Sequence, residues 1–342
     1  MTKGASARVV TLYDVATRAG VSPMTVSRVM AGGKNVRQEK VDRVLAAVTE
    51  LGYRRNENAR SIRPGQRTGL VGVVITNVAN PYYAELQLGV EEALGTQRFR
   101  LLVGNSNEEL GKEQQLIADF VGRKVDGLIV VPAADDSAAH LGPDAVGPTP
   151  VVLASREVAG SELDTVLIDD VTGACEGTRQ LIDNGHSRIA YLGSVASAST
   201  NQRRLDGFTQ AHRAAGLDVD PALIRTGQQR PDQARQAMHE LLQLSSPPTA
   251  VFSGNNRNTV GVIRALHEAG VAHNSSSTPG KDVIPVVCFD NFELSDLMPI
   301  PLAIIQHDPR DLGRHAGHLL LDRLQGDPSP ARRIQLPTRL LT

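Results

Sequence analysis

Residues 11–29 (TLYDVATRAGVSPMTVSRV) place hydrogen-bonding side chains on the outer face of two short predicted helices. Gly20 permits a left-handed turn between them, Ser22 is placed to cap the second helix, and Pro23 stands at its first position. The positions predicted to face inward are Val15, Ala16, Ala19, Val26 and Val29. Those left near the outer face are Met24, Thr25, Ser27 and Arg28. This pattern is typical of a helix-turn-helix that enters a DNA major groove, and a generic helical hairpin is the alternative.

The charge of the 342-residue chain is divided between two parts. Residues 1–68 carry 13 Lys and Arg against 5 Asp and Glu, a net charge of +8, whereas the remainder carries 23 against 32, a net charge of −9. A basic segment suits the binding of phosphates, and an acidic remainder suits a domain that does not itself bind DNA. Charge therefore predicts that the two parts have different tasks.

Two further segments complete the basic part. A third helix is predicted from Glu39 to Leu51 and ends at Gly52. Its predicted apolar stripe comprises Val41, Val44, Leu45, Val48 and Leu51. Residues 56–62 (NENARSI) are polar and too few to form a stable helix in isolation, so they are predicted to fold only when docked. A plain interdomain linker is the alternative for this segment.

Together these segments closely resemble the DNA-binding headpiece and hinge of the LacI family of bacterial transcription regulators, and the resemblance covers nearly the whole chain. It implies a cytoplasmic homodimer that binds a near-palindromic double-stranded DNA operator. Arg28 is suited to a bidentate contact with guanine, and Ile62 occupies the position that wedges into the minor groove. The residues implied to contact DNA are Tyr13, Ser22, Pro23, Met24, Thr25, Ser27, Arg28, Asn35, Arg37, Asn56, Ala59, Arg60 and Ile62.

From Gly69 onward, apolar β-branched runs alternate with helical segments, and a second series of such elements begins near Gly173. Continuous apolar runs between helices are typical of parallel sheets that are covered on both faces. The predicted fold is an all-α helix-turn-helix headpiece followed by an α/β core, with two doubly wound parallel-sheet lobes of the periplasmic-binding-protein type. The predicted domains are a headpiece at 1–54, a hinge helix and linker at 55–68, and an effector-binding and dimerisation core at 69–342.

In this architecture a ligand is expected in the cleft between the lobes, where the carboxyl ends of both sheets meet. The resemblance implies a small sugar-like effector, and the side chains are suited to hydroxyl groups: carboxylates accept, amides donate and accept, and arginine donates. The residues implied to bind it are Tyr82, Tyr83, Ser155, Arg156, Thr200, Arg204, Phe252, Asn255, Asp290 and His307.

One departure from the family pattern bears on the ligand. The family often has Asp-Arg after the fourth strand of the core, where this chain has Ser155 and Arg156. Loss of the carboxylate predicts an excess of positive charge in the cleft. A phosphorylated or acidic sugar is therefore a hypothesis beside a neutral one.

Other function classes have little support in the sequence. There is no G-x-G-x-x-G after a strand, no G-x-S-x-G and no HExxH, so an enzyme is not expected. The nine histidines are scattered, which predicts no metal site, and no cofactor is expected. Cys175 and Cys288 are predicted to be free thiols in the core. No apolar run is long enough to span a membrane.

The sequence therefore predicts a transcription regulator that represses genes for carbohydrate uptake or catabolism. Control by a protein co-effector of the phosphocarrier type is the alternative to direct control by a sugar. A sugar-binding protein without regulatory function is a weaker alternative, because it would have no use for a basic helix-turn-helix.

Overall fold

The computed structural model describes residues 10–30, 32, 35–53, 67–95, 99–133, 137–271, 283–293, 295–297 and 302–342. The chain divides into two units, Met1–Thr68 and Gly69–Thr342. Within the described ranges no helix is long and apolar enough to cross a membrane.

The first unit is helical. Its helices are α1 (Leu12–Ala19), α2 (Pro23–Met30) and α3 (Gln38–Leu51). Gly20 and Gly52 adopt left-handed backbone angles and end α1 and α3, as predicted. The small core of this unit consists of Val15, Ala16, Ala19, Val26, Val29, Val44 and Ala47. The inward-facing positions predicted for α1 and α2 are therefore confirmed.

The apolar stripe predicted for α3 is wrong at one position. Leu45 is 48% exposed, and Ala47 is buried in its stead. Successive residues of a helix differ by about 100°, so Leu45 is rotated away from the face that carries Val44. Ala47, three residues after Val44, returns to that face. A core built from three short helices buries only this narrow stripe.

The second unit begins with a lobe of parallel strands and covering helices. In chain order these are β1 (Leu70–Ile75), α4 (Pro81–Leu94), β2 (Arg100–Asn105), α5 (Leu110–Gly122), β3 (Gly127–Val130), α6 (Pro143–Val146), β4 (Val151–Ala154) and β5 (Asp164–Ile168). Strands β1, β3 and β4 are buried almost throughout, as expected for a sheet covered on both faces.

The chain then enters a second lobe of the same kind. Its elements are α7 (Asp170–Asp183), β6 (Ile189–Leu192), α8 (Ser199–Ala214), β7 (Ile224–Arg225), α9 (Pro231–Leu242), β8 (Ala250–Ser253), α10 (Asn256–Glu268), β9 (Val286–Phe289) and β10 (Leu302–Gln306). The sequence pattern predicts helices that begin near Gly173, at Arg203 and at Asn258. In the structure these helices begin earlier, at Asp170, Ser199 and Asn256.

The last elements connect the two lobes again. Helix α11 (Pro309–Leu324) packs on α4 in the first lobe, and β11 (Arg333–Leu336) pairs with β5. Strand β12 (Arg339–Leu341) returns to the second lobe and pairs antiparallel with β10. The sheet orders are β11-β5-β4-β3-β1-β2 and β12-β10-β9-β8-β6-β7. The prediction of two lobes is confirmed. The prediction that one lobe is finished before the next begins is corrected, because α11 and β11 near the C-terminus complete the first lobe.

Both cysteines are free thiols, as predicted. Cys288 is buried in β9, and burial raises the pKa of its thiol to about 12, so it stays protonated at neutral pH. Cys175 is only half-buried in α7, so the expectation of a core position is wrong for this residue.

Candidate DNA-binding surface and ligand cleft

The helix-turn-helix is held by side-chain caps at the N-termini of both of its helices. Thr11 and Asp14 form a capping box at the start of α1: the Asp14 N–H donates to Thr11 Oγ1 at 3.3 Å, and the Thr11 N–H donates to Asp14 Oδ2 at 2.8 Å. Ser22 Oγ accepts from the Thr25 N–H at 3.2 Å and fixes the start of α2. The predicted cap is confirmed, whereas sequence reasoning missed the capping box, although Thr-x-x-Asp is its usual signal.

The outer face of α2 is available to a ligand. Met24 and Arg28 are exposed, and Arg28 has no hydrogen bond or ion pair within the described ranges. The hydroxyl groups of Ser22 and Thr25 form a hydrogen bond with 2.9 Å between their oxygen atoms. The other described residues of the predicted DNA set are exposed or half-buried: Tyr13, Pro23, Ser27, Asn35 and Arg37. The four predicted hinge contacts lie outside the described residues: Asn56, Ala59, Arg60 and Ile62.

A cleft lies between the two lobes of the second unit, at the carboxyl ends of both sheets. Its cavity has a volume of about 60 Å³. One water needs about 10–15 Å³ of such space, so a sugar ring requires a wider opening of the lobes. Eight of the ten predicted effector residues line this cavity: Tyr82, Tyr83, Ser155, Arg156, Thr200, Arg204, Asn255 and Asp290.

Arg204 and Asp290 meet at the floor of the cleft. Arg204, on α8, donates from Nε to Asp170 Oδ1 at 2.8 Å and from Nη1 to the Gly254 carbonyl at 2.6 Å. Both of its terminal nitrogens lie 3.4 Å from Asp290 carboxylate oxygens, and its guanidinium stacks on Phe289 at 3.7 Å. These contacts fix the orientation of the guanidinium before any ligand binds.

Asp290 remains ionised in spite of its burial. Burial raises the pKa of this carboxyl group. Arg204 and His307 together lower the pKa by more than burial raises it, so the net pKa is below its ordinary value. Its backbone adopts a φ of 68°, which directs the residue out of the end of β9. The cleft therefore offers a fixed carboxylate beside a fixed guanidinium.

Arg156 forms a second buried ion pair, with Glu108. Arg156 Nη1 and Nη2 donate to the two Glu108 carboxylate oxygens at 2.6 and 2.9 Å, and Nη1 also donates to the Pro132 carbonyl at 2.9 Å. Sequence reasoning missed Glu108, which stands three residues after the end of β2. Its carboxylate neutralises Arg156, so the predicted excess of positive charge at this position is wrong.

Two predicted effector residues do not line the cleft cavity. Phe252 is 0% exposed and stacks on Tyr191 at 5.6 Å between centroids, so it belongs to the core of the second lobe. The side chain of His307 is 1% exposed and lies behind Asp290, with its Nε2 at 2.9 Å from Asp290 Oδ1. His307 therefore contacts a cleft residue rather than the cleft cavity itself.

Further polar residues line the cleft that were not among the predicted ones. Besides Glu108 they are Asn77, Asn80, Ser194, Gln228, Gln229 and Arg257. Each follows the end of a strand, which is the signal that could have found them. Within the described ranges no group of His, Cys, Asp or Glu could hold a metal ion.

Side chains from opposite lobes contact each other across the cleft. Asn256 Nδ2 donates to Asn80 Oδ1 at 2.9 Å, and Arg257 Nη1 donates to the Ala79 carbonyl at 2.9 Å. At another point Arg203 Nη1 donates to Glu157 Oε1 at 2.8 Å. These contacts hold the lobes in a closed arrangement.

Each of the two units matches a model of a known protein family. Residues 68–342 match the family model described as periplasmic binding proteins and sugar binding domain of the LacI family, and residues 11–56 match that of bacterial regulatory proteins, lacI family. The chain belongs to the LacI family. It is a DNA-binding transcription regulator, and regulators of this family act as dimers on operator DNA and bind small-molecule effectors.

Three LacI-family relatives illustrate the extent of the likeness. Catabolite control protein A of Priestia megaterium is 31% identical, over 97% of this chain and 97% of that protein. The lac repressor dimer bound to operator and the anti-inducer ONPF superposes with a TM-score of 0.82 at 26% identity, over 98% of each chain. A complex of the transcriptional regulator CelR with cellobiose gives a TM-score of 0.71 at 28% identity, over 97% of this chain and 98% of that one.

Proposed function

We propose that this regulator represses genes of carbohydrate uptake or catabolism, and that a small neutral carbohydrate in the cleft controls its binding to operator DNA. The observation that carries the proposal is the fixed pair of Arg204 and Asp290 where the two sheets meet, surrounded by amide and hydroxyl side chains. A carboxylate accepts from two adjacent hydroxyl groups, and a guanidinium donates in a fixed fork. The relative solved with cellobiose supports the same class of ligand.

A neutral ligand is favoured over an anionic one by the charge balance of the cleft. Glu108 engages both terminal nitrogens of Arg156, and Asp170 and Asp290 engage Arg204. A phosphate group would have to displace one of these carboxylates. Hydroxyl groups can bind beside the ion pairs without breaking them.

The ligand would act by favouring one arrangement of the lobes. A ligand changes an equilibrium only through its different affinities for the two states. The contacts from Asn256 to Asn80 and from Arg203 to Glu157 belong to the closed arrangement, whose cavity is too small for a sugar ring, so a bound sugar would favour a more open arrangement of the lobes. We expect this change to reach the operator through the hinge at residues 55–68, between the headpiece at 1–54 and the core at 69–342.

On the DNA side, the exposed face of α2 would supply the sequence preference. Arg28 would contact guanine, Pro23 and Met24 would contact thymine methyl groups, and neighbouring hydroxyl groups would contact phosphates. Two headpieces of a dimer would then require a near-palindromic operator.

Isothermal titration calorimetry with neutral mono- and disaccharides and their phosphorylated forms tests the effector proposal. We expect a neutral sugar to bind, and to change the affinity for operator DNA in a parallel gel-shift titration. Arg204→Ala should abolish sugar binding, while Arg213→Ala, an exposed position on the same helix, should leave it unchanged. Binding of phosphorylated sugars alone, or of no sugar, would overturn the proposal.

A further inference from the structure

A buried carboxyl group lies on α5, outside the cavity of the cleft. Glu113 is 0% exposed and stands on the face of α5 that also carries Ile117 and Phe120. Those two side chains pack in the apolar core of the first lobe. A buried polar group costs free energy unless its atoms are engaged by partners. The partners of Glu113 therefore show what this group stabilises.

Both oxygen atoms of Glu113 have close partners. Oε2 accepts from the Ala133 N–H at 2.6 Å, and Oε1 lies 2.7 Å from His140 Nε2. His140 belongs to a short 3-10 helix, Ala139–Leu141, and its side chain is almost buried. Glu113 therefore connects α5 to the chain that follows β3.

The Ala133 N–H belongs to the same peptide group as the Pro132 carbonyl. A peptide group is planar, and in the trans form its N–H and its C=O point to opposite sides. The Pro132 carbonyl accepts from Arg156 Nη1 at 2.9 Å. One rigid group therefore joins Glu113 on one side to Arg156, in the wall of the cleft, on the other.

The orientation of this peptide group matters to both neighbours. Ala133 is 2% exposed, so its N–H needs a partner within the protein. Rotation of the peptide group would separate the N–H from Glu113 and withdraw the carbonyl from Arg156 at the same time. Because Arg156 Nη1 also donates to Glu108, the Pro132 carbonyl is the second acceptor that fixes the angle of the guanidinium.

We infer that Glu113 is a positioning residue for the cleft. Together with His140 it holds the peptide group between Pro132 and Ala133, and through that group it fixes the guanidinium of Arg156. A determinant of the cleft wall therefore lies outside the cavity, on the core face of α5. Contact of Arg156 with a ligand rests on the proposed function, whereas the positioning of its side chain does not.

The test measures the rotation of the Arg156 guanidinium in the full-length protein without a ligand. NMR of protein labelled with ¹³C,¹⁵N-arginine follows rotation about the Nε–Cζ bond, and Arg156→Lys identifies the signals. Glu113→Leu, a change of similar volume, should make this rotation faster on the order of tenfold, because one hydrogen bond that resists rotation is lost. Glu113→Gln should restore the rate of the parent protein, because its amide oxygen can accept from the Ala133 N–H.

Two controls separate positioning from a general loosening of the fold. Asp119→Leu removes an exposed carboxylate from the same helix and should leave the rotation of Arg156 unchanged. The guanidinium of Arg204, in the second lobe, should rotate at the same rate in every variant. An equal acceleration at Arg204, or a Gln variant that behaves like the Leu variant, would overturn the inference.

Circular dichroism checks the fold of each variant. Unchanged rotation of Arg156 in a folded Glu113→Leu variant would also overturn the inference. If that variant does not fold, His140→Phe decides, because it keeps an aromatic ring and removes the nitrogen atom that contacts Glu113. We expect a smaller acceleration of Arg156 in this variant, and no acceleration would refute the role of the pair. Because no sugar is added, the outcome is separate from the identity of the effector.

Discussion

At the scale of the residue, the arginines of this protein differ in whether their donors are already engaged. Arg18 is paired with Glu50 and ties α1 to α3, whereas Arg28 has no partner within the described part of the first unit. In the cleft, Arg156 and Arg204 are engaged by carboxylates. Free donors suit contact with DNA, and engaged donors suit a fixed, neutral wall for hydroxyl groups.

Arg28→Ala should relax the sequence preference of operator binding. A bidentate contact of arginine with guanine contributes about 1–3 kcal/mol of discrimination, and alanine cannot make it. Selection of binding sites from a random DNA pool measures the preference. Arg37→Ala is the control, because loss of a phosphate contact should weaken binding to all sequences and reduce its salt dependence. An unaltered preference in the Arg28 variant would contradict its assigned role.

Glu108→Gln should turn the cleft from neutral to anion-binding. Arg156 would keep its charge and lose its partner, so inorganic phosphate should bind the variant in calorimetric titrations and not the parent protein. The same change should destabilise the fold by about 3 kcal/mol, because it leaves a buried charge unpaired. Glu109→Gln is the matched control, since Glu109 is exposed and paired with Lys112. A variant that is folded and shows no gain in phosphate binding would count against the role of Glu108.

Some residues of the site could be predicted from the sequence and others could not. Arg204 and Asp290 lie within segments that resemble the family pattern, and the structure brings them together. Glu108 could not be assigned, because its pairing with Arg156 joins two loops that are 48 residues apart. Phe252 was assigned to the cleft, but it lies within strand β8, where its ring packs on Tyr191 and Phe208 in the core.

At the scale of the element, helices α4 and α11 pack unusually closely in the first lobe. A Cβ on Gly313 of α11 would overlap the Leu86 carbonyl oxygen, and one on Gly89 of α4 would overlap the Arg310 carbonyl oxygen. The two glycines therefore allow the backbones to approach each other. Neither glycine has a positive φ, so the requirement is one of space.

Gly313→Ala should lower the thermal midpoint of the second unit. The added methyl group has to push the two helix backbones apart, and overpacking of a core costs about 1–3 kcal/mol. Gly111→Ala is the matched control, because it lies in the first turn of α5 with open space around it. Scanning calorimetry measures both changes. Equal midpoints for the two variants would mean that the helices can separate without cost.

The elements themselves were largely predictable, and their ends were not. Strand β1 begins and ends where its apolar run does, at Leu70 and Ile75. Helix α8 begins at Ser199, four residues before the predicted start, because its first turn is polar and faces the cleft. The position of Leu45 outside the core depends on which face of α3 the other two helices cover, which the stripe itself does not reveal.

At the scale of the whole molecule, the C-terminal segment is held in the first lobe by one buried carboxylate. Asp164 of β5 accepts from Arg323 of α11 at 2.7 Å and from the Arg332 N–H at 2.7 Å. Burial raises the pKa of Asp164. The hydrogen bonds from Arg323 and Arg332 lower the pKa by more than burial raises it, so the net pKa lies below the ordinary value. No local pattern predicts this clamp, because β11 is short, polar on alternate positions and paired with a strand 168 residues away.

The stability of the second unit should therefore depend on Asp164 in a defined pH range. A carboxyl group with a lowered folded-state pKa contributes stability above its unfolded pKa of about 3.9 and loses it as the pH falls through the folded value. Asp164→Asn should cost about 3 kcal/mol at pH 7, and the difference from the parent should shrink below pH 4. Urea unfolding at several pH values measures this.

The exposed carboxylate Asp144 provides the control for this experiment. Asp144→Asn should change stability little at any pH, because exposed charges contribute little. A constant difference between the Asp164 variant and the parent from pH 7 to pH 3 would show that the clamp does not depend on ionisation.

The return of α11 and β11 to the first lobe also has a consequence for the order in which the protein matures on the ribosome. The helix-turn-helix is made from local contacts and can fold as soon as its residues emerge. The first lobe has to wait for residues 309–336, because α11 covers its sheet and β11 forms its edge. Contacts between distant segments form slowly, and domains that await them expose apolar surface. Nascent chains should therefore carry a finished DNA-binding module before the module that regulates it.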